Sequence, residues 1–159
     1  MKSLHAIVQI SLSAVITGLI AVGVSACQNN ENAENIFEPI PANELVTTIS
    51  DTDASPEQLA LKRKIENICI NMTTVKDNHL ELMVDKDYFI QNNIPVSYYD
   101  LIVNEIEAAN KSADELRNLG VEINIADDIE EARKRYNAYI TEFEKRRIPR
   151  EEFFATYKD

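Results

Sequence analysis

At 159 residues and a formal net charge of −11, the chain is long enough for one hydrophobic core and carries the wrong sign for nucleic acid or for a polybasic grip on anionic lipid. Three glycines in the whole sequence leave few residues for tight hairpin turns, which argues for helices. The two cysteines (Cys27 and Cys69) and two histidines (His5 and His79) lie too far apart in sequence to form the closely spaced ligand sets of zinc centres.

The N-terminal stretch reads as an export signal. A single basic residue, Lys2, precedes an apolar run from Ala6 to Val24, and the run ends in Val24-Ser25-Ala26-Cys27. An aliphatic residue, two small residues and a cysteine in that place resemble the lipobox of bacterial lipoproteins. The small side chains of Ser25 and Ala26 let extended backbone into a narrow protease site, and Val24 supplies an apolar anchor. The resemblance implies that the Cys27 thiol takes a diacylglyceryl group and that the Ala26–Cys27 bond is cut. It implies too that the new amine is acylated, for example with palmitate. Each buried methylene holds a lipid chain in the bilayer by roughly 0.8 kcal/mol. The alternative is an uncleaved membrane anchor, since about 19 residues from Ala6 to Val24 can cross a bilayer. Gln9, Ser11, Ser13 and Thr17 weaken that span. By enterobacterial sorting rules, Gln28 after the cysteine favours the outer membrane, with the domain in the periplasm or at the cell surface.

Cleavage leaves 133 of the 159 residues and removes Lys2 but no acid, so the charge moves from −11 to −12. Three segments follow: a signal peptide over 1–26, the lipidated Cys27 with a tether over 27–55, and a helical domain over 56–159. The tether is rich in Asn, Glu, Thr, Ser and Pro, including Glu38-Pro39-Ile40-Pro41. As a coil it would span roughly 30 Å. Ile36, Phe37, Leu45, Val46 and Ile49 are more apolar than a spacer needs, so part of it is expected to dock on the domain or to form a short helix capped by Asn43.

The domain opens at Ser55-Pro56-Glu57-Gln58, with Ser at the N-cap, Pro at N1 and Gln at N3. Leu61, Ile65, Ile68, Met72, Val75, His79 and Leu82 then recur at spacings of four and three, one apolar seam of helical period. The spacing predicts a helix over 56–77, with continuation through Leu82 or a break near Asp77-Asn78 both open. Asp85 to Ile90 is its last turns or a separate short helix, ended by Asn92-Asn93-Ile94-Pro95. Ser97 with Asp100 reads as a second capping box. The seam Ile102, Ile106, Ala109, Ala113 and Leu116 follows, with Gly120 beyond the last turn. Val121, Ile123 and Ile125 alternate with polar residues and are read as an extended connection. A third helix is predicted from about Asp127 to Arg147, acidic at its start and basic at its end as the helix dipole favours. Pro149 opens a short terminal helix. The fold class predicted is all-α, a small three- to four-helix bundle.

Chemical motifs are sparse. Once His5 leaves with the signal, His79 is the one histidine. It lies on the apolar seam, where a partly buried core role outweighs a catalytic one. Cys69, between Ile68 and Ile70, reads as a small buried hydrophobe. The acid pairs Asp85/Asp87, Asp127/Asp128 and Glu130/Glu131 sit at helix starts, where capping accounts for them. Lys145, Arg146, Arg147 and Arg150 form the one positive patch of any size, read as a solvated helix terminus in preference to a contact with anionic lipid or an acidic partner. Aromatic residues carry the remaining signal. Tyr98 and Tyr99 are adjacent, so a helix cannot bury both on one face. Phe153, Phe154 and Tyr157 sit on a last helix too short to stand alone. These five are the candidate partner-binding residues, since interfaces favour such side chains; docking of the last three onto the bundle is the alternative. No metal and no cofactor is expected. The function expected is a non-catalytic envelope lipoprotein whose domain binds another envelope protein. A binder of a small apolar or lipidic ligand is the alternative, and an enzyme centred on His79 a remote one.

Overall fold

The computed structural model describes Ile40, residues 45–148 and residues 150–156. The expected signal segment with its lipobox-like Val24-Ser25-Ala26-Cys27, and Asn43, Pro149 and Tyr157, lie outside the described residues. Among those described, the chain is mostly helical, with one 3-10 turn (Val46–Thr48), five α-helices and one two-stranded hairpin. In chain order these are α1 (Pro56–Asn71), β1 (Thr73–Lys76), β2 (His79–Leu82), α2 (Lys86–Gln91), α3 (Ser97–Asn118), α4 (Ile125–Arg146) and α5 (Arg150–Thr156). No described helix is long and apolar enough to cross a membrane.

The start of α1 follows its sequence signal. Ser55 Oγ accepts the Gln58 N–H, and the Gln58 side chain accepts the Ser55 N–H at 2.9 Å, closing the capping box. The end of α1 does not. The helix stops at Asn71, and what the apolar seam suggested as helix over 72–77 is instead the first strand of an antiparallel hairpin. Two local features override the helical period. Thr73, Thr74 and Val75 are β-branched and suit a pleated surface. Asp77 and Asn78 both take positive φ, 49° and 63°, the turn that matches strand twist. Asn and Asp tolerate that region, so the shortage of glycine did not forbid a hairpin. The register pairs Thr73 with Leu82, Thr74 with Glu81, Val75 with Leu80 and Lys76 with His79. The expectation of a helical domain holds in its coarse form, a mostly helical chain, with this one small hairpin beside the helices.

Polar side chains from the long helices fix the hairpin. Asn110 of α3 accepts the Leu80 N–H at 2.7 Å and donates to the Leu80 carbonyl at 2.9 Å, pairing the outer edge of β2 as a neighbouring strand would. Arg133 of α4 donates to the carbonyls of Ile70 and Thr73. Its charge thus sits at the negative end of α1.

Asp85 caps α2 through the Tyr88 N–H, so Lys86–Gln91 is a helix of its own. Ser97 does not cap α3. Val96 already has helical φ and ψ and is the N-cap, without a side-chain bond, and the Tyr98 N–H reaches the Pro95 carbonyl. Ser97 is one position too deep to act as a cap. At the other end Gly120 (φ +80°) follows the C-cap Leu119. Its N–H reaches the Arg117 carbonyl and the Val121 N–H that of Leu116, the double closure of a Schellman motif. Residues 121–124 form the expected connection, with Ile123 buried. Asn124 caps α4, which begins at Ile125, two residues before the predicted start.

The larger core joins Ile65, Ile68, Ile70, Leu80, Phe89, Tyr98, Ile102, Ile106, Ile125 and Ile129. Phe89 meets Tyr99 edge-on at 5.5 Å between ring centres. Leu45 and Val46 belong to this core, Ile40 packs against it, and the Val46 N–H donates to the Tyr98 hydroxyl at 3.0 Å. The folded unit therefore takes in residues 45–55, expected in the tether. A second cluster joins Tyr139 and Phe143 of α4 to Phe153 of α5.

Candidate functional site

Where α1 crosses α4, polar groups interrupt the core. Asp51, four residues before the α1 cap, is 7 % exposed, and Glu66 in mid-helix is fully buried. Isolated buried carboxylates would be costly, and each is surrounded by cations. Lys62 Nζ lies 2.7 Å from Asp51 Oδ1, and Arg63 bridges both acids, at 2.9 Å to Asp51 and 2.6 Å to Glu66. Arg150, the first residue of α5, pairs with Glu66 and stands 3.7 Å from Asp51. The tyrosines of α4 complete the set: Tyr136 donates to Glu66 at 3.1 Å and Tyr139 to Asp51. Lys62 also donates to the Ile49 carbonyl. Four segments, two near residues 45–71 and two near the C-terminal end of the described chain, thus share one ion cluster: the 45–51 segment, α1, α4 and α5.

The electrostatics follow from this packing. Burial alone would raise the Asp51 carboxyl, but hydrogen bonds from Lys62, Tyr139 and Arg63 outweigh it and hold the group well below the usual carboxylate range. Burial pulls the Arg63 and Arg150 guanidinia down, and Glu66 and Asp51 push both further up. Burial, with Glu66 beside one and Asp51 beside the other, raises the Tyr136 and Tyr139 hydroxyls above their ordinary value. These shifts move the Asp51 carboxyl, the Arg63 and Arg150 guanidinia and the Tyr136 and Tyr139 hydroxyls further from titration near neutral pH. Such an arrangement is suited to holding segments together rather than to passing protons.

The cluster opens on one side into a cleft of about 620 Å³. Its walls are the turn at Asp51, Thr52 and Ala54, the first turns of α1 (Pro56, Leu59, Ala60 and Arg63) and the end of α4 (Phe143, Glu144 and Arg147). Two guanidinia flank the Phe143 ring, Arg63 at 5.0 Å and Arg147 at 5.1 Å from its centre. Arg150 stands 4.8 Å from the Tyr139 ring. Such contacts favour the charged guanidinium on the ring face.

The candidate partner-binding residues do not come together. Tyr98 is 1 % exposed, a core residue whose hydroxyl holds Val46, and burial removes it from any surface. Tyr99 is half-buried between Phe89 and the Lys86 ammonium, which lies 5.5 Å from its ring centre. Phe153 is buried and Phe154 half-buried, each about as far from Tyr139 as from the other; α5 docks back onto α4. His79 is not on an apolar seam. In a strand it alternates with Leu80, so Leu80 turns inward and His79 outward, where its Nε2 meets Asp114 at 3.0 Å. Asp114 also pairs with Arg117, which donates to the Asn78 carbonyl, and this ties the hairpin turn to α3. The hydrogen bond from His79 is the main cause lowering the Asp114 carboxyl. Cys69 is 2 % exposed, and burial pushes its thiol up to about 12, which leaves no thiolate at neutral pH. Lys145 and Arg146 both pair with Glu142. Among the described residues no group of three or more His, Cys, Asp or Glu is placed to hold a metal ion.

Sequence reasoning passed over Asp51, Lys62, Arg63, Glu66, Tyr136, Tyr139 and Arg150 as members of one site. A signal was present in Tyr136 and Tyr139, which recur at helical spacing with Ile129, Ala132 and Phe143, because a buried hydroxyl requires a partner. Nothing local named Asp51 as that partner. No family model matches the chain, and neither do the curated proteins or the solved structures.

Proposed function

We propose that this chain is a lipid-anchored protein of the bacterial envelope whose mostly helical domain acts by binding another envelope protein. The observation that carries the proposal is Val24-Ser25-Ala26-Cys27 at the end of an apolar run. Two features support a binding role. The long helices α1, α3 and α4 are read as a small bundle with the hairpin as an appendage, a rigid body on which a surface is held in shape. The ion cluster binds Asp51 into that body, so a domain carried on a lipid anchor would be attached at a fixed point rather than through a loose joint.

Labelling cells with an alkyne analogue of palmitate tests the anchor. The wild-type chain is expected to take the label, and Cys27→Ala to lose it and to keep its signal segment uncleaved. Equal labelling of the two, or a mature N-terminus other than Cys27, overturns the lipoprotein reading. Cross-linking in intact cells tests the binding role, which requires one reproducible envelope protein joined to the wild-type chain.

A further inference from the structure

We propose that the cleft beside the ion cluster is the partner-binding site and that it accepts a peptide segment bearing a carboxylate next to an apolar side chain. This rests on the binding role proposed above and gives that role a surface and a ligand chemistry.

Arg147 is the C-cap of α4 in left-handed backbone, φ 57°, a conformation costly for most residues with a Cβ and normally left to glycine or asparagine. A strained residue invites a functional reason. The strain sets an exposed guanidinium against the Phe143 ring at the edge of the cleft. Among the described residues no carboxylate pairs with it, whereas Lys145 and Arg146, adjacent in the last turn, both pair with Glu142.

The charge below the cleft has the same sign. Lys62, Arg63 and Arg150 face Asp51 and Glu66, three cations against two acids, and adding Arg147 and Glu144 of the rim keeps the excess at one. That local excess lies in a chain of net charge −11. The same cleft has apolar lining from Pro56, Leu59 and Ala60. A guanidinium takes a carboxylate through paired hydrogen bonds, and the apolar wall takes the neighbouring side chain. A membrane surface fits less well. It needs a broad array of unpaired cations, and here the flanking cations are neutralised while the available one stands in a concavity.

The test uses the full chain in detergent micelles and a fluorescein-labelled peptide of alternating leucine and glutamate, with leucine–glutamine and leucine–lysine peptides for comparison. Mixed micelles containing phosphatidylglycerol or phosphatidylcholine probe the lipid surface. Binding is expected for the glutamate peptide, to weaken with added salt, and to fall about tenfold or more in Arg147→Gly through loss of one charge-assisted pair. Glycine accepts the left-handed backbone, so this variant keeps its Tm; if it does not, Arg147→Asn, which tolerates the same conformation, decides by the same affinity loss. Equal affinity for the three peptides, an affinity indifferent to Arg147, or a response to phosphatidylglycerol alone overturns the inference. In cells, a cross-link that survives Arg147→Gly overturns this site and leaves the binding role standing, whereas absence of any reproducible cross-link removes the role itself.

Discussion

Asp51 holds together segments that no local rule joins. Removing one member of a buried ion pair strands its partners, at a cost of about 3–5 kcal/mol. Asp51→Ala leaves Lys62 with no carboxylate partner and Arg63 and Arg150 with Glu66 alone, so urea denaturation should show a loss of that size. Tyr98→Phe is a smaller and cleaner change, because it leaves the Val46 N–H without its acceptor in a buried place. A loss of about 1–3 kcal/mol is expected, with faster hydrogen exchange confined to residues near Val46. Neither role was legible in the sequence. Tyr98 looked like a surface aromatic because its neighbour Tyr99 competes for the same face, and only the docking of the 45–51 segment decides which of the two goes in.

At the scale of elements, local signals were legible and nonlocal ones were not. The Ser55 cap of α1, the Gly120 closure of α3 and the charge gradient along α4 are each written within a few residues. The hairpin is only partly so: Thr73, Thr74 and Val75 and the Asp77-Asn78 turn favour it locally, but the helical period of Met72, Val75, His79 and Leu82 masks them, and Asn110 and Arg133, which hold the hairpin in place, lie far along the chain. Asn110→Ala leaves both outward backbone groups of Leu80 unpaired; exchange of the Leu80 amide should quicken while the amides of α4 stay protected. Gly120→Ala isolates backbone strain, since a Cβ built there meets nothing within 4 Å. The loss should be about 1 kcal/mol from the left-handed φ, and Gly120→Asn should recover part of it.

For the whole molecule, stability against pH follows from the shifted groups. Asp51 is held below its ordinary value in the fold. Its contribution is therefore present above about pH 4, the value for an unfolded aspartate, and is lost as the pH falls below that. Tyr136 and Tyr139 are raised. Their contribution is intact below about pH 10, the ordinary tyrosine value, and is lost as the pH rises beyond it. Glu105, raised by burial, and Asp128, raised by burial and by Glu131 and Asp127, act the other way and gain as the pH falls. A Tm profile should therefore be level between the two limits and fall on both sides, and Asp51→Asn should reduce the acid limb and also weaken the alkaline one, because the Asp51 carboxylate is one of the groups that raise Tyr139.

The ion cluster also sets where this polypeptide can be trimmed. Ser55 offers an inviting boundary, with a strong cap directly after an exposed turn, and a recombinant fragment begun there would keep every helix. It would lack one of the two acids around which three basic side chains are gathered, and should be recovered as aggregate, whereas a fragment begun a few residues before Leu45 should stay monodisperse.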